Sequence, residues 1–394
     1  MKQNLNKLAG GWKIVKFGDV VRNANLVERE PVKAGIERIV GLEHIDPENL
    51  HISRWDSSED GTSFTRKFIP GQTLFGKRRS YQRKVAFAEF EGICSSDILT
   101  FESKNPKILL PELLPFICQT DAFFNYALGT SAGSLSPRTS WSALQDFEFP
   151  LAPLEGQKRI VEILWAADNA AEGYQEALNR YEIFVRCQLE QTLNSLNCQE
   201  MALPNVLSGS PESGCSAPPP PHETGHWVLS LAALSSSGYS RGNLKPINKT
   251  DKMLNARLSK GDLLISRSNT VEMVGFAGIF YEDRADVSFP DTMMRLPVNR
   301  EKVLPEYLEL VLLSKRGRRH MMQTASGTSN SMKKINRKTL SEFIFPVPDL
   351  ETQDRIVTTF SGYKAHRDAI NEHLLKTRSM LFALNNQSTG AAYA

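Results

Sequence analysis

The sequence predicts an α+β fold built from two tandem α/β units, each followed by a long amphipathic helix. The first observation is an internal repeat: LQDFEFPLAPLEGQKRIV (144–161) and LSEFIFPVPDLETQDRIV (340–357) are identical at ten of 18 positions, at a constant offset of 196 residues. The second observation is a change of period after this stretch in each copy, from short β-like runs to heptad spacing. Together they predict two copies of one structural unit.

The β-like part of each copy comes first and consists of short apolar runs separated by glycine and polar residues. These runs are IERIVGL, TLFGKR, KVAFAEF and ILTF in the first copy, and DLLISR, VGFAGIFY and MMRLPV in the second. A helix-like stretch follows in both copies. The alignment of the copies pairs Asp97 with Asp291 and Trp12 with Trp227, so the second copy is predicted to restart at Trp227.

The long helices show apolar or small residues at alternating steps of four and three, which is the pattern of a coiled-coil seam. The seam positions are Ile160, Leu164, Ala167, Ala171, Tyr174, Leu178, Tyr181 and Val185 in the first helix, and Ile356, Phe360, Tyr363, Ile370, Leu374, Leu381 and Leu384 in the second. Arg367 and Thr377 interrupt the second seam. We predict that the two helices form a coiled coil with each other. The alternative is that each helix packs only on its own globular domain.

Length and composition limit the classes of protein to consider. With 394 residues, of which 41% are hydrophobic, the chain can form two or three domains with sizeable cores. The net charge of +3 means that any affinity for nucleic acid must come from local basic patches. The five cysteines never occur in C-x-x-C spacing, which argues against a disulfide framework and fits a reducing cytosol. We find no signal peptide and no membrane-spanning run, and we expect a cytoplasmic protein without a membrane partner.

Two short strings resemble catalytic motifs. HETGH (222–226) has the histidine spacing of zinc proteases, but four prolines precede it and Gly225 interrupts the helix that such a site needs. GQTLFGKR (71–78) resembles a phosphate-binding loop, but Arg78 replaces the Ser or Thr that binds magnesium. We therefore expect neither a metal site nor a nucleotide site in this chain.

Positive charge is concentrated in one stretch of each copy. Residues 62–88 contain seven basic side chains and residues 310–341 contain eight, and neither stretch contains an acidic residue. The loops GTSAGSLSPRTSW (129–141) and ASGTSNSMKKINR (325–337) occupy equivalent positions and offer hydroxyl and amide groups beside cations. This combination suits contacts with DNA phosphates and base edges. The alternative is a solvated surface with flexible loops. It would account for a single basic stretch, but it does not account for one such stretch in each copy.

The stretches FPLAPLEGQKRIV and FPVPDLETQDRIV, each leading into a heptad helix, resemble the specificity (S) subunit of type I restriction–modification enzymes. The two-copy layout and the G-T-S-type loops add to this resemblance, which covers nearly the whole chain. The resemblance implies two target recognition domains that each read one half of a split DNA site. It also implies an antiparallel two-helix coiled coil that separates these domains, with pseudo-twofold symmetry. The implied partners are double-stranded DNA, two methyltransferase (M) subunits and the restriction/translocase (R) subunits.

The repeat and the resemblance together predict the domain boundaries. We expect target recognition domain 1 at 1–153, the central heptad helix at 154–200, a Pro/Ser/Gly linker at 201–226, target recognition domain 2 at 227–349, the C-terminal heptad helix at 350–386 and a disordered tail at 387–394. A helix of about 30 residues spans about 45 Å, which corresponds to about 13 base pairs of duplex DNA. The coiled coil is therefore predicted to set the length of an unread spacer between two half-sites.

The sequence contains neither the Gly-rich cofactor loop nor the N/D-P-P-Y/F string of an adenine methyltransferase, so we expect a non-catalytic chain. S-adenosylmethionine, ATP and magnesium are expected in partner subunits and not in this chain. Two alternatives remain open. One is a self-contained DNA methyltransferase or restriction-enzyme recognition module, and the other is a coiled-coil scaffold that does not bind DNA.

Candidate DNA contacts come from both copies. They are Lys77, Arg78, Arg79, Tyr81, Arg83, Lys84, Ser136 and Arg138 in the first copy, and Arg267, Ser268, Asn269, Arg316, Arg318, Arg319, Asn330, Lys333, Lys334 and Arg337 in the second. The cations are candidates for phosphate and groove contacts. The candidates for contacts with base edges are Tyr81, Ser136, Arg138, Ser268, Asn269 and Asn330.

Overall fold

The computed structural model describes residues 11–133, 136–216, 220, 222, 224–327 and 332–390. The chain divides into two compact units. Unit 1 comprises Met1–Ala177 and Ile370–Ala394, and unit 2 comprises Leu178–Ala369. Each of the two long helices therefore contributes one part to unit 1 and the other part to unit 2.

Unit 1 contains short strands and short helices that precede the first long helix, together with one part of each long helix. The strands are β1 (Lys13–Lys16), β2 (Val21–Asn23), β3 (Leu26–Val27), β4 (Arg38–Val40), β5 (Asp56–Ser57), β6 (Arg66–Phe68), β7 (Thr73–Gly76), β8 (Val85–Phe87), β9 (Gly92–Cys94), β10 (Ile98–Ser103) and β11 (Glu148–Leu151). The helices are α1 (Phe17–Val20), α2 (Leu114–Gln119), α3 (Asp121–Gly129), α4 (Trp141–Leu144) and the long helix α5 (Leu154–Asn194).

Two sheets and one strand pair organise unit 1. An antiparallel sheet has the order β2-β10-β7-β8, and a mixed sheet has the order β3-β6-β9-β4-β5, while β1 pairs with β11. The phenyl rings of Phe17, Phe75, Phe101 and Phe123 are fully buried and contact one another in edge-on, tilted or stacked pairs. This aromatic core fixes the antiparallel sheet against α2 and α3.

Unit 2 begins with the end of α5 and contains the second set of elements. The strands are β12 (Glu200–Ala202), β13 (Glu212–Ser213), β14 (Trp227–Leu229), β15 (Leu234–Ser235), β16 (Gly238–Tyr239), β17 (Leu244–Pro246), β18 (Leu263–Ser266), β19 (Ser268–Asn269), β20 (Ala277–Ile279), β21 (Val287–Ser288), β22 (Met293–Leu296), β23 (Lys333–Lys334) and β24 (Ile344–Pro346). The helices are α6 (Asp251–Asn255), α7 (Pro305–Leu313), α8 (Lys315–Thr324), α9 (Arg337–Ser341) and the long helix α10 (Leu350–Asn385).

The central sheet of unit 2 repeats that of unit 1. Its order β13-β22-β18-β20 matches β2-β10-β7-β8 element for element. All four residues of β7 and all four of β18 are buried, as expected for strands covered on both faces. A buried hydroxyl begins the equivalent helices α3 and α8, where Thr120 accepts from Phe123 N and Ser314 accepts from Gly317 N.

The second copy starts earlier than the sequence alignment predicts. β12 pairs with β24 in the same way as β1 pairs with β11. The next backbone hydrogen bond is also repeated: Phe17 N donates to Phe147 O at 2.7 Å, and Leu203 N donates to Phe343 O at 2.8 Å. The predicted restart at Trp227 is wrong, because this residue begins β14, which pairs with β17 and β21 inside the domain.

The predicted linker at 201–226 is also wrong over residues 201–216. These residues form part of β12, a 3₁₀ turn and β13, and Leu203, Val206 and Cys215 are buried in the cores of unit 2. The Pro/Ser/Gly composition does not predict this role, because few apolar side chains anchor the segment: besides the three buried ones, Met201 and Leu207 pack partly buried against the core. Residues 217–219, 221 and 223 lie outside the described residues.

The two strings that resemble catalytic motifs adopt other structures. In HETGH, Gly225 has φ +70°, which is incompatible with a helix, and the strand β14 begins one residue after His226. Glu223 of this string lies outside the described residues. In GQTLFGKR, Thr73–Gly76 is the strand β7 between β10 and β8, so its backbone is used in the sheet and does not form a phosphate loop.

One repeated glutamine fastens each long helix to its domain. Gln157 is buried, and its Nε2 donates to Ile108 O (2.7 Å) and Ala152 O (2.9 Å) while its Oε1 accepts from Leu110 N (3.0 Å). Gln353 makes the same three types of bond in unit 2, with Lys302 O, Pro348 O and Leu304 N as partners. The repeated glutamine therefore has a structural cause: a side-chain amide can donate to two carbonyls and accept from one N–H at once.

Gln157→Ala is expected to lower the free energy of unfolding by about 3 kcal/mol, because three backbone groups lose their partner at a buried position. Chemical denaturation followed by circular dichroism measures this change. Gln191→Ala is the matched control, because Gln191 lies exposed on the same helix and its removal should change stability by less than about 0.5 kcal/mol. Equal effects of the two substitutions would contradict the fastening role of Gln157.

The two long helices run antiparallel within each unit. In unit 1, Tyr174 stacks on His373 with ring centroids 5.6 Å apart, and Leu381 joins the core that contains Leu164. In unit 2, Phe184 contacts Tyr363 edge-on at 5.7 Å. In these contacts, residues with higher numbers on α10 meet residues with lower numbers on α5, as in an antiparallel pair. The helices are therefore not confined to their own domains, and α5 ends at Asn194 instead of the predicted residue 200.

A buried ion pair joins α5 to the domain of unit 1. His51 Nε2 lies 2.9 Å from Asp168 Oδ2, and His51 Nδ1 lies 3.0 Å from Glu89 Oε1. Asp168 is buried, and the Trp165 ring packs edge-on against the imidazole. The contact with Asp168, opposed by burial and aided by Glu89, raises the pKa of His51 to about 9.

This ion pair is expected to make the stability of unit 1 depend on pH. Because the pKa of His51 in the folded state lies above its ordinary value of 6.5, the stabilisation is complete below pH 6.5 and is lost as the pH rises through about 9. The difference in melting temperature between the natural chain and His51→Gln should follow this profile. A difference that stays constant from pH 6 to pH 10 would show that the charge of His51 contributes nothing.

The end of the chain departs from the predicted disordered tail. Residues Asn386–Gly390 continue α10 as a π-helical turn, and Thr389 is buried with its hydroxyl donating to Asn385 O at 2.6 Å. Asn385 Nδ2 in turn donates to Phe116 O at 3.0 Å. Residues 391–394 lie outside the described residues. In the part of the chain that the structure describes, no helix is long and apolar enough to cross a membrane.

Candidate nucleic-acid interface

The same backbone hydrogen bond fastens a loop to the end of the central strand in both units. In unit 1, Thr139 N donates to Lys77 O at 3.0 Å, immediately after β7. In unit 2, Ile335 N donates to Arg267 O at 3.0 Å, immediately after β18. The G-T-S-type loops identified in the sequence thus lie beside the predicted basic residues that follow these strands.

Each loop is also closed on itself in the same way. Arg138 and Ala132 exchange two backbone hydrogen bonds of 2.9 and 3.0 Å, and Lys334 and Ser326 exchange two of 2.8 and 2.9 Å. This pairing gives each loop a fixed base and places a cation, Arg138 or Lys334, at the equivalent position. The described ends of both loops are therefore hydrogen-bonded into the domain structure.

A basic cluster surrounds the carboxylate of Asp97 in unit 1. Asp97 Oδ1 accepts from Arg138 Nε at 3.1 Å, and its Oδ2 accepts from Arg78 Nη1 at 3.4 Å. Ser136 Oγ accepts from both Arg78 and Arg79 at 3.4 Å. The side chains of Arg78 and Arg138 remain 38% and 51% exposed, so they are held in place and still accessible to a ligand.

Positive charge exceeds negative charge at this cluster. Burial, together with the nearby Arg66 and Arg138 guanidinium groups, lowers the pKa of Lys77 against the opposing effect of Asp97. Four cations, Lys77, Arg78, Arg79 and Arg138, share this cluster with one carboxylate, that of Asp97, so the local potential is positive. Such a potential attracts a polyanion.

Tyr81 is displayed by a strained turn beside this cluster. A 3₁₀ turn, Ser80–Gln82, is flanked by Arg79 at φ +55° and Arg83 at φ +52°, both in the left-handed region. Tyr81 is 56% exposed. An exposed aromatic ring between cations suits stacking or groove contacts with nucleic acid.

Two other candidates of unit 1 are bound within the domain. The Arg83 guanidinium donates to Asp121 Oδ1 and Gln119 O at 2.7 Å and lies 4.6 Å from the Phe124 ring centroid. Lys84 Nζ donates to Leu42 O at 2.5 Å. The partners of both cations lie far away in the sequence, so they cannot be found by inspecting the basic stretch itself. We assign Arg83 and Lys84 structural roles.

In unit 2, Lys333–Lys334 of the loop 325–337 form β23, which pairs with β19 just after the end of β18. Ser268 faces Lys334 and Asn269 faces Lys333 in this pair. Lys333 Nζ donates to Gly327 O at 2.7 Å, and the Lys334 side chain is exposed. Arg267 is half-buried at the start of the pair. Hydroxyl, amide and ammonium groups are thereby brought together.

The remaining candidates of unit 2 lie apart from this loop or have internal partners. Arg318 donates to Val274 O (2.7 Å) and Glu272 O (2.9 Å) and lies over the Phe276 ring, and burial lowers the pKa of Arg318 to about 10. The three other described cations are exposed: Arg316 pairs with Glu200, Arg337 Nε donates to Pro211 O, and Arg319 lies on α8. Asn330 lies outside the described residues.

The structure also corrects the alignment near Asp97. Lys77 N donates to Asp97 O at 2.9 Å, and the equivalent Arg267 N donates to Thr292 O at 2.8 Å. Thr292, and not Asp291, is therefore the counterpart of Asp97. Asp97 is not among the site residues predicted from the sequence, although it directly precedes the buried strand β10.

One group in the described part of the chain has ligand atoms close enough for a metal ion, namely Glu43, His44 and Asp56, whose atoms lie within 4.8 Å of one another. His44 Nδ1 already accepts from Gly41 N at 2.9 Å, and both carboxylates are exposed. This geometry is that of a surface turn in which His44 Nε2 also lies 3.6 Å from Asp56 Oδ1.

Comparisons with known proteins point to one family. The family described as type I restriction modification DNA specificity domain matches residues 10–180 and 237–377, well over half of the chain. The chain is 31% identical over 182 residues to the Type I restriction enzyme EcoDI specificity subunit of Escherichia coli. It is 26% identical over 199 residues to the EcoKI specificity subunit of Escherichia coli strain K12. These matches cover 42% and 50% of this chain and 39% of each relative.

A solved structure supports the fold over nearly the full length. It comes from work on complex assembly and conformational transition of the type I R-M system and matches 97% of this chain and 98% of its own. The TM-score is 0.56 at 19% sequence identity, which is evidence for the fold alone. The predicted fold class, two tandem α/β domains with an antiparallel pair of long helices, is confirmed.

Proposed function

Because the chain belongs to the family of type I restriction–modification DNA specificity domains, we propose that it is the sequence-specific DNA-binding subunit of such a system. It reads a bipartite DNA site, with one half-site bound by each unit. The two Escherichia coli relatives are specificity subunits, and the matched parts of this chain fall in both copies of the repeat.

The observation that carries the proposal is the repeated loop attachment at Lys77–Thr139 and Arg267–Ile335. Two equivalent sites in one chain suit a split DNA site better than a single ligand. Each site combines cations, which bind phosphates without regard to sequence, with polar side chains that distinguish base edges. The loops differ in sequence between the units, which supports two unlike half-sites.

Catalysis is assigned to partners of this chain. We propose that two methyltransferase subunits bind the antiparallel helices and that restriction/translocase subunits join this complex. S-adenosylmethionine, ATP and magnesium bind to those partners. The solved relative comes from work on complex assembly of a type I R-M system, which supports a partnership with other subunits.

Duplex binding by the full chain tests the proposal. We expect binding to weaken steeply with salt, by about 0.9 in the logarithmic slope per phosphate contact. We also expect co-purification with the methyltransferase encoded in the same system. A scaffold without a DNA role would show no duplex binding at any salt concentration. A self-contained methyltransferase would methylate DNA without a partner, and that result would also overturn the proposal.

A further inference from the structure

We propose that Arg138 reads a guanine in the half-site of unit 1 and that Asp97 is the positioning residue that holds Arg138 for this contact. The inference rests on the proposed function and deepens it by naming the base and the residue that selects it. It assigns the carboxylate of Asp97 a role in DNA recognition that the basic composition of the loop does not suggest.

The two Nη groups of Arg138, which would contact the base, remain accessible. Asp97 accepts from the Nε of Arg138, and among the described residues no other side chain is hydrogen-bonded to this guanidinium. Its two Nη groups are the fork that donates to the O6 and N7 atoms of guanine in the major groove. The backbone of Arg138 is fixed by its two hydrogen bonds with Ala132, so the guanidinium group extends from a fixed backbone position.

A carboxylate partner favours a base over a phosphate as the ligand of Arg138. The negative charge of Asp97 compensates much of the positive charge of Arg138 and weakens its attraction to phosphate. The planar fork and its donors are unchanged, and bidentate recognition depends on them. Arg79 lacks a carboxylate partner among the described residues, so it suits the phosphate contact.

Unit 2 lacks this arrangement, as two unlike half-sites require. Thr292 replaces Asp97, and Lys334 replaces Arg138 at the end of the equivalent loop. An ammonium group is a point charge and cannot form the planar fork. The guanine contact is therefore specific to the half-site that unit 1 reads.

Selection of duplexes from a randomised pool by the full chain tests the inference. Arg138→Lys keeps the charge but removes the fork, and it should reduce the preference for guanine at one position by about 5- to 150-fold. Asp97→Asn should reduce the preference at the same position by a smaller factor. The second half-site should stay unchanged in both variants, and the salt dependence of binding should stay unchanged in Arg138→Lys, which keeps the charge.

Asp262→Asn is the matched control. Asp262 also pairs with an arginine, at 3.0 Å from Arg295 Nη1, and is 21% exposed compared with 17% for Asp97, but it lies before β18 at the opposite end from the loop. This variant should leave every base preference intact. Melting curves of all variants show whether each one folds. If Asp97→Asn does not fold, Arg138→Lys alone tests the guanine contact, because Arg138 is half-exposed and its substitution should not disturb folding.

Three outcomes separate the inference from the proposed function. If both variants keep the guanine preference, Arg138 does not read the base. If Arg138→Lys preserves binding and Asp97→Asn strengthens binding equally for all sequences, Arg138 contacts phosphate, and the inference fails while the proposed function stands. If the natural chain selects no sequence at all, the proposed function fails and the inference fails with it.

Discussion

Insertion of seven residues into each long helix, after Ala177 in α5 and after Ala369 in α10, is expected to lengthen the preferred DNA spacer by about three base pairs. Seven helical residues add about 10 Å and preserve the heptad phase of the seam, and duplex DNA rises about 3.4 Å per base pair. Both half-sites should remain unchanged, because the insertion lies outside the recognition loops. Affinity for the original site should fall on the order of 100-fold, because the two units no longer bind one duplex simultaneously.

Selection from a pool of duplexes with variable spacers measures this change directly. The same seven residues inserted at the exposed Gly242, a turn with φ +79°, serve as the control and should leave the spacer unaltered. A preferred spacer that stays the same after insertion into both helices would show that the helices do not set the distance between half-sites.

Removal of three cations at the recognition loop of unit 2 is expected to have the second-largest effect. The triple variant Arg267→Ala, Lys333→Ala and Lys334→Ala should make the salt dependence of duplex binding shallower by about 0.9 for each phosphate that is no longer neutralised. Affinity at low salt should fall on the order of 100-fold. Fluorescence anisotropy titrations of the full chain against labelled duplex at several salt concentrations give both quantities.

The control removes the same charge from the opposite end of β18. Lys260, Arg300 and Lys302 are exposed. Lys260 precedes this strand, Arg300 Nη2 donates to Gly261 O beside it, and Lys302 lies two residues after Arg300. Their triple alanine variant should retain the natural salt dependence. If both triple variants reduce the slope equally, general surface charge attracts DNA and the loops of unit 2 have no special role.

The sequence predicts those parts of the fold that have local signals. The repeat, the two long helices and the position of the two loops follow from identity at a fixed offset and from heptad spacing, which depend only on neighbouring residues. The helix seam is also predicted correctly at Leu164 and Leu374, both of which are buried.

Features that depend on distant partners could not be predicted. The pairing of β12 with β24 joins segments that share no pattern, so the sequence alone places the start of the second copy too late in the chain. Whether a cation stays accessible to DNA or is bound inside the domain depends on acids and carbonyls elsewhere in the chain. Arg83 binds Asp121, and Arg318 binds two carbonyls before β20. Composition gives every cation of a stretch equal weight, whereas folding leaves some of them accessible and uses others internally.

The central claim is that each unit of this chain recognises one half of a split DNA site. Its most direct test is sequencing of methylated bases in cells that carry this chain with its methyltransferase partner. We predict a methylated motif of two short specified blocks separated by a gap of fixed length without base preference. Exchange of the loop 129–141 should alter only one block. A single contiguous motif, or an unchanged motif after deletion of this chain, would contradict the account.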